Sequence, residues 1–286
     1  MTGWLIVNSF IEIKKFNEIY SYLLSAAQKY GLDIELKKTC DVFFLVGEKI
    51  DLPDFVLFWD KDVNLAALLE NMGVRVFNSA KAIEICDSKS LTAICLSKAK
   101  IKMPKTYLAP KTFEAFGYNN TEFLKKAGEA LGFPMVIKES YGSFGQQVYL
   151  ANNFSEAEKI VSEMGAKEFI MQEFIAESKG RDIRVNVVGG KVVAAMLRYS
   201  ENGDFRSNIS NGGKMKAVDI TNEQAQLAID ACRAIGLDFA GVDVLFGKNG
   251  ESIICEVNSN PHFKSTFDCT GVDLSEEIIK YIKGRL

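Results

Sequence analysis

The sequence predicts an α/β N-terminal domain followed by a region of mixed α and antiparallel β structure. Three observations carry that prediction. The first third alternates short apolar strands with amphipathic helices, the pattern of a layered parallel sheet. The last third holds two hairpin signals, Gly189-Gly190 and Asn249-Gly250, each between apolar strands. The composition is that of a folded protein. Of 286 residues, 48% are hydrophobic and 25% are charged, which argues against disorder and allows a sizeable core.

Trp4 to Val7 reads as a buried strand. Residues 16 to 30 read as a helix with Phe16, Ile19, Tyr20, Leu23 and Leu24 on one face. Leu32 to Leu36 alternates, and Phe55 to Trp59 is a short apolar strand. Val63 to Met72 is helical, and Val74 to Phe77 extends again. Asp87 or Ser88 can cap a helix that runs to about Lys98 and is broken by Met103-Pro104. Lys105 to Leu108 then extends. Further on come a helix over 121 to 131, strands at Met135 to Lys138 and Gln147 to Leu150, a helix over 155 to 164, and a strand at Phe169 to Gln172. Arg184 to Val188 and Val192 to Leu197 flank the first hairpin turn. A helix over 222 to 235, a hairpin over 240 to 257 and a helix over 274 to 284 complete the chain.

Several function classes fall away early. With 34 Lys plus Arg against 37 Asp plus Glu, the net charge is -3, so no global field draws the chain to nucleic acid or an anionic membrane. The longest dense apolar stretches, such as Val42 to Val46, are too short to span a bilayer. The start, Met1-Thr2-Gly3-Trp4, does not read as a signal peptide. None of the six cysteines is spaced Cys-x-x-Cys. They read as reduced core residues of a cytoplasmic protein. His262 is the single histidine, which rules out a multi-histidine metal site.

The sharpest local reading is the second hairpin. If Asn249-Gly250 is a two-residue turn, facing residues have numbers summing to 499. Val242, Val244 and Phe246 then face Val257, Cys255 and Ile253 on an apolar side. On the other side Asp243 faces Glu256, and Asn258 follows Glu256 on that face. Like charges directly opposite repel, so something positive is expected there. Three oxygen-bearing side chains suit a hard cation such as magnesium shared with phosphate oxygens; a solvated strand face is the plainer alternative. Upstream, Lys138 ends a strand just before Ser140-Tyr141-Gly142-Ser143-Phe144-Gly145. Such a loop lets backbone amides approach phosphates while Lys138 supplies a charge, or it is an ordinary hairpin turn. Neither a Walker loop nor a dinucleotide fingerprint occurs. Gln172-Glu173 ends a strand where backbone groups and a carboxylate could hold an adenine amino group, or simply where a core strand surfaces. Asp182, Arg184 and Asn186 share one strand face. A polar glycine-rich loop contains Arg206, a residue able to clamp phosphate or carboxylate.

Taken together and in order, these segments resemble the ATP-grasp superfamily, specifically the RimK-like carboxylate–amine (alpha-L-glutamate) ligases. The resemblance covers roughly residues 87 to 286. It rests on Lys179-Gly180-Arg181-Asp182-Ile183-Arg184, Gly203-Asp204-Phe205-Arg206-Ser207-Asn208, and Ala240-Gly241-Val242-Asp243 with Glu256-Val257-Asn258. It implies the ATP-grasp fold: the α/β N-terminal domain (1–87) followed by two α+β subdomains (88–167 and 168–286) that grip ATP. It implies that Asp243, Glu256 and Asn258 hold magnesium, with manganese as a substitute. Lys89 and Lys138 match nucleotide-contacting lysines, Glu173 and Phe174 the adenine-binding connection, and Asp182 a nucleotide-site acid. Arg206 and Asn208 match a polar pair at the phosphate end. Lys138, Arg184 and Arg206 are the candidate catalytic groups.

Two departures stand out. Gln146 or Gln147 occupies a flap position that is usually glycine, and His262 follows Pro261 where glycine is more frequent. The implied activity is ADP-forming ligation of an amino acid, glutamate being one candidate, to a carboxylate-bearing peptide, protein tail or small molecule. The alternatives are a biosynthetic ligase for a small metabolite or carrier-bound amino acid, and a nucleotide-binding module without turnover. Homo-oligomerisation is compatible with either; nucleic-acid and membrane partners are not expected.

Overall fold

A computed structural model describes residues 1–142, 145–201, 203–207 and 212–286. Three sheets organise it. The first is parallel, in the order β2-β1-β3-β4, from Thr2–Val7 (β1), Asp33–Lys38 (β2), Phe55–Phe58 (β3) and Arg75–Phe77 (β4). Its helices are Lys14–Lys29 (α1), Val63–Asn71 (α2) and Ala80–Asp87 (α3). Every residue of β3 is buried, as expected of a strand covered on both faces. The order reverses direction between β1 and β3, which opens a crevice at their carboxyl ends.

Ser88 caps the next helix, Lys89–Lys98 (α4), by accepting from the Leu91 amide at 3.3 Å; Asp87 instead closes α3. The second sheet is antiparallel, in the order β5-β8-β6-β7. Its strands are Thr106–Leu108 (β5), Met135–Glu139 (β6), Val148–Ala151 (β7) and Phe169–Glu173 (β8). Thus five residues beyond the expected boundary at 167 belong to the central sheet. Glu122–Leu131 (α5) and Phe154–Glu163 (α6) cover one face of it, meeting Met135, Ile137, Phe169 and Met171. Period-2 alternation leaves Val136, Lys138, Ile170 and Gln172 on the other face.

The third sheet runs β11-β10-β9-β12-β13. Its strands are Arg181–Val188 (β9), Lys191–Tyr199 (β10), Lys214–Ala217 (β11), Phe239–Phe246 (β12) and Ser252–Asn258 (β13). Asn222–Ile235 (α7) packs on Ile183, Val185, Val242, Val244 and Ile254. Lys264–Thr270 (α8) and Leu274–Lys283 (α9) end the chain. The expected α/β layer and two α+β units are therefore present. The helices α3 and α8 and the strand β11 had not been expected. No helix among the described residues is long and apolar enough to cross a membrane. All six cysteines are free, and Cys40 is exposed rather than in the core.

The parallel domain is keyed onto the third sheet. Trp59 stacks on Phe239 at 5.5 Å, and one apolar cluster joins Leu5, Ile19 and Leu23 to Phe263, Ile278 and Ile282. At its centre lies Asn78, fully buried. Its Nδ2 donates to the carbonyls of Phe239 (3.0 Å) and Ser259 (2.9 Å), while its Oδ1 accepts from the amides of Asp238 (2.7 Å) and Phe239 (3.2 Å). Asn78→Leu would strand four backbone groups, each buried orphan costing about 1–3 kcal/mol. The variant is expected to unfold at a clearly lower temperature in calorimetry; an unchanged midpoint would show that the amide is not what joins the two units.

Candidate active site

Both hairpins depart from a straight ladder by one residue, and both departures set the chemistry. In β12–β13 the pairs Val242–Val257 and Asp243–Glu256 form as expected, but Val244 then faces Ile254 and Phe246 faces Ser252. Cys255 is the extra residue of a bulge. The 499 register therefore holds only beyond the bulge, and Cys255 turns from the expected apolar side into the cleft. At the turn, Asn249 and Gly250 both take positive φ (57° and 80°), within a short 3-10 turn at Lys248–Gly250. In β9–β10 the straight pairing of Val187 with Val192 shifts at Val193, and this shift sets Arg198 opposite Asp182.

The result is a row of charged side chains across four strands, in which two arginines stand among three acids. Arg198 on β10 holds Asp182 on β9 through two bonds of 2.7 Å, and reaches Asp243 at 2.9 Å. Arg184 on β9 faces Asp243 on β12 and binds both its oxygens, one through Nη2 at 2.9 Å and the other through Nε. Glu256 on β13 completes the row. Asp243 is 4% exposed and Arg198 6%. Burial alone would raise the Asp243 carboxyl, yet Arg184 and Arg198 hold it below its ordinary value. Burial likewise works against the Arg198 charge, and Asp243 and Asp182 more than offset it. The positive partner expected for the acidic pair is thus supplied by two guanidiniums, and the pair does not by itself demand a metal. Gly241 permits this packing: a Cβ there would lie 2.9 Å from Pro261 and 3.1 Å from Arg184.

The remaining candidates line the same cleft, of about 530 Å³, between the second and third sheets and the parallel domain. Lys89 and Lys138 enter from α4 and β6. Lys89 Nζ donates to the Gly142 carbonyl at 3.3 Å, and Lys138 Nζ lies 3.7 Å from Cys255 Sγ. Burial holds the Lys89 ammonium below its usual value; Glu256 opposes this while Lys138 and Lys61 add to it. Arg206 lies across the cleft. It pairs with Asp204 at 2.9 Å and donates to the Gly145 carbonyl at 2.8 Å, tying the glycine loop to the third sheet. Phe174 meets Phe205 edge-on at 6.4 Å. The Glu173 carboxylate accepts from the Lys105 amide at 2.8 Å, so it closes the β5–β8 junction. Ser207 donates to Asp182 at 2.6 Å. Asn208, like Ser143 and Phe144 of the glycine loop, lies outside the described residues.

Oxygen donors suited to a hard cation are present in the row. Asn258 Nδ2 donates to the Gly241 carbonyl at 3.3 Å, which leaves its Oδ1 as an acceptor. The Glu256 carboxylate has no hydrogen-bond donor among the described residues, whereas both Asp243 oxygens are held by arginine. Among the described residues no cluster of three His, Cys, Asp or Glu side chains forms a metal cage. The site thus fits a cation that shares its shell with phosphate oxygens.

Sequence reading missed Arg198 and the whole contribution of the parallel domain. Lys15, Phe16, Trp59 and Lys61 line the cleft from the carboxyl ends of β1 and β3, at the switch point of that sheet. The strand order that reveals this is not written in any motif. His262 also lines the cleft. Its Nε2 lies 3.3 Å from the Lys15 carbonyl, and burial lowers its pKa.

A cleft between two antiparallel sheets, with lysines from one sheet and its adjoining helix and an acidic strand pair from the other, defines the ATP-grasp class. The comparisons agree. Residues 86–282 match the RimK-like ATP-grasp domain, and the chain belongs to that family. It is 34% identical over 244 residues to the uncharacterized protein MG012 homolog of Mycoplasma pneumoniae, covering 83% of this chain and 84% of that one. It is 38% identical over 216 residues to the probable alpha-L-glutamate ligase of Methanococcoides burtonii, covering 75% and 69%. Among solved structures it superposes on the RimK domain ATP-grasp protein of Sphaerobacter thermophilus with a TM-score of 0.75. That match has 20% identity and covers 98% and 99% of the two chains.

Proposed function

We propose that the chain is an ATP-dependent, ADP-forming carboxylate–amine ligase. The observation that carries this reading is the convergence of Lys89, Lys138 and Arg206 with the Asp243–Glu256–Asn258 oxygen row in one cleft. A carboxylate is a poor acyl donor because oxide would have to leave. Transfer of the γ-phosphoryl group to a carboxylate oxygen breaks the bond to ADP and makes an acyl phosphate. An amine nitrogen then attacks the acyl carbon, phosphate leaves with its oxygen, and the nitrogen loses a proton as the amide forms.

Phosphoryl transfer needs alignment and charge neutralisation more than covalent help. Lys89 from α4 and Lys138 from β6 would align the triphosphate from one side of the cleft, and Arg206 from the β10–β11 loop on the other. The glycine loop, held by Arg206, would exclude water from the acyl phosphate. Glu256 and Asn258 would hold magnesium together with Asp243, whose two oxygens Arg184 and Arg198 also engage. When bound, the cation neutralises charge on the transferring phosphoryl oxygens.

The acceptor end is walled by Lys15, Phe16, Trp59 and Lys61 of the parallel domain. That enclosure favours a small carboxylate or a chain terminus over an internal side chain of a folded protein. Glutamate is the amino acid in the name of the Methanococcoides burtonii relative, and it is the first amine to test. The test is ADP release with magnesium and ATP against pooled amino acids and short acidic peptides, with mass spectrometry of the products. The expected result is substrate-dependent ADP release and a product lighter by one water than its two components. Magnesium-dependent ATP binding with no turnover across that pool would favour the binding-module reading instead.

A further inference from the structure

The parallel sheet ends on one side at β2, and that edge is open. Of the six outer strands of the three sheets, β4 and β5 have three residues each, and β7 and β11 have four. β13 has seven, but its Ile254 amide is taken by the Lys102 carbonyl at 2.9 Å. β2 runs for six residues. The Asp33 amide donates to the Met1 carbonyl at 3.4 Å, so Asp33, Glu35 and Lys37 turn their backbone groups toward β1. Ile34, Leu36 and Lys38 turn theirs outward. The Lys38 amide donates to the Asp41 carboxylate at 2.9 Å. Nothing among the described residues bonds the outward groups of Ile34 and Leu36. An edge of this length is a template for another strand.

The side chains of β2 say which strand. On one face Glu35 and Lys37 form an ion pair at 2.6 Å, and the Lys37 ammonium lies over the Trp4 ring at 5.6 Å. On the other, Leu36 is 40% exposed. In an antiparallel pair, facing residues point their backbone groups both at the partner or both away. Two copies of β2 related by a two-fold axis must therefore be centred on a residue. Centred on Glu35, the pair opposes carboxylate to carboxylate. Centred on Lys37, it opposes ammonium to ammonium. Centred on Leu36, it sets Glu35 against the partner's Lys37 twice over, at the closer pairs that lack hydrogen bonds. Leu36 then meets its own copy through two backbone bonds, and the Ile34 amide donates to the carbonyl of the partner's Lys38.

Strand pairing alone buries less than the roughly 800 Å² per partner of a stable interface. The segment after β2 supplies more. Phe44 packs with Trp4 against one apolar cluster, which places the segment beside the Glu35–Lys37 face, and its neighbours Phe43, Leu45 and Val46 are exposed, Phe43 at 92%. Such a run of exposed apolar side chains marks a surface that is covered by a partner. We infer that the chain forms a two-fold dimer by antiparallel pairing of β2 centred on Leu36, flanked by Phe43, Leu45 and Val46. The occupant is a second copy because in that register the charges of the strand complement themselves.

The test is sedimentation velocity of the full chain at micromolar concentrations. The unmodified chain should run as a dimer. Glu35→Lys and Lys37→Glu each set like charges against each other at both pairs, and each should raise the dissociation constant about tenfold or more. Mixed in equal amounts, the two variants should associate with one another, because every pair is then of opposite charge. The chain carrying both substitutions should dimerise like the unmodified one. A monomeric unmodified chain would overturn the inference. So would a dimer that persists undiminished in either single variant, or single variants that stay apart when mixed. If a single variant fails to fold, the double variant decides, since it keeps the ion pair within the strand. A monomer there counts against the inference.

Discussion

Glu256→Gln should fold like the unmodified chain and lose substrate-dependent ADP release by about 10²–10³-fold. The substitution keeps the size of the side chain and removes its charge. Unlike Asp243, Glu256 is not held by an arginine, so little of the fold depends on that charge. Two losses combine at the phosphates. One oxygen ligand for a cation weakens, and the carboxylate that most supports the buried Lys89 ammonium disappears. The magnesium concentration for half-maximal activity should rise, while the melting temperature stays close to that of the unmodified chain. Asp243→Asn should lose activity too, but with a lower melting temperature, because Arg184 and Arg198 lose their common partner. Full activity in Glu256→Gln would remove the acidic row from the chemistry.

The second large effect is on stability. Arg198→Met leaves Asp182 and Asp243 buried with their shared cation gone, and breaking such a pair costs about 3–5 kcal/mol. For a chain of this length that corresponds to a fall of roughly 10 °C in melting temperature. Asp182→Leu combined with Arg198→Met should recover part of the loss, since an apolar pair carries no desolvation penalty. The double variant should remain impaired in ATP binding, because Asp182 lines the nucleotide cleft. That split separates holding the sheet together from holding the nucleotide. The pH dependence has a definite sign. Asp243 is held below its ordinary value, so its contribution is complete above the unfolded carboxyl pKa of about 3.9 and fades as the pH falls below it. Calorimetry across pH 2 to 6 should show the unmodified chain losing more stability on acidification than the double variant.

Much of this site was legible in the sequence, for a physical reason. Asn249 and Gly250 do take positive φ at the turn, but the connection is Lys248–Gly250 rather than two residues, and the bulge at Cys255 offsets that extra residue so that Asp243 meets Glu256 as expected. The helix α1 announced itself by apolar periodicity, and α5, α7 and α9 lie where helices were expected. What escaped was what depends on distant segments. A bulge has no local composition signal, so Cys255 was placed on the wrong face and Arg198 was not seen opposite Asp182. The acid pair looked as though it required a metal because its arginines come from strands remote in sequence. The switch-point wall of Lys15, Phe16, Trp59 and Lys61 depends on strand order, which short-range pattern does not encode.

The two bulges also decide which changes of chain length the site can absorb. Each bulge lies between its turn and the charged pairs it serves. Lengthening the tip at Lys248–Gly250 leaves the strands free to keep their pairing, so a peptide tag grafted there should be tolerated. Deleting Val193 or Cys255 removes the unpaired residue itself, so the ladder becomes regular while Arg198 stays opposite Asp182 and Glu256 stays opposite Asp243. Deleting any paired residue between turn and bulge is a different operation, because the ladder can keep the charged pairs only by giving up its bulge. Each bulge is thus a spare residue that an engineered hairpin exchange can spend to hold the charged pairs in register.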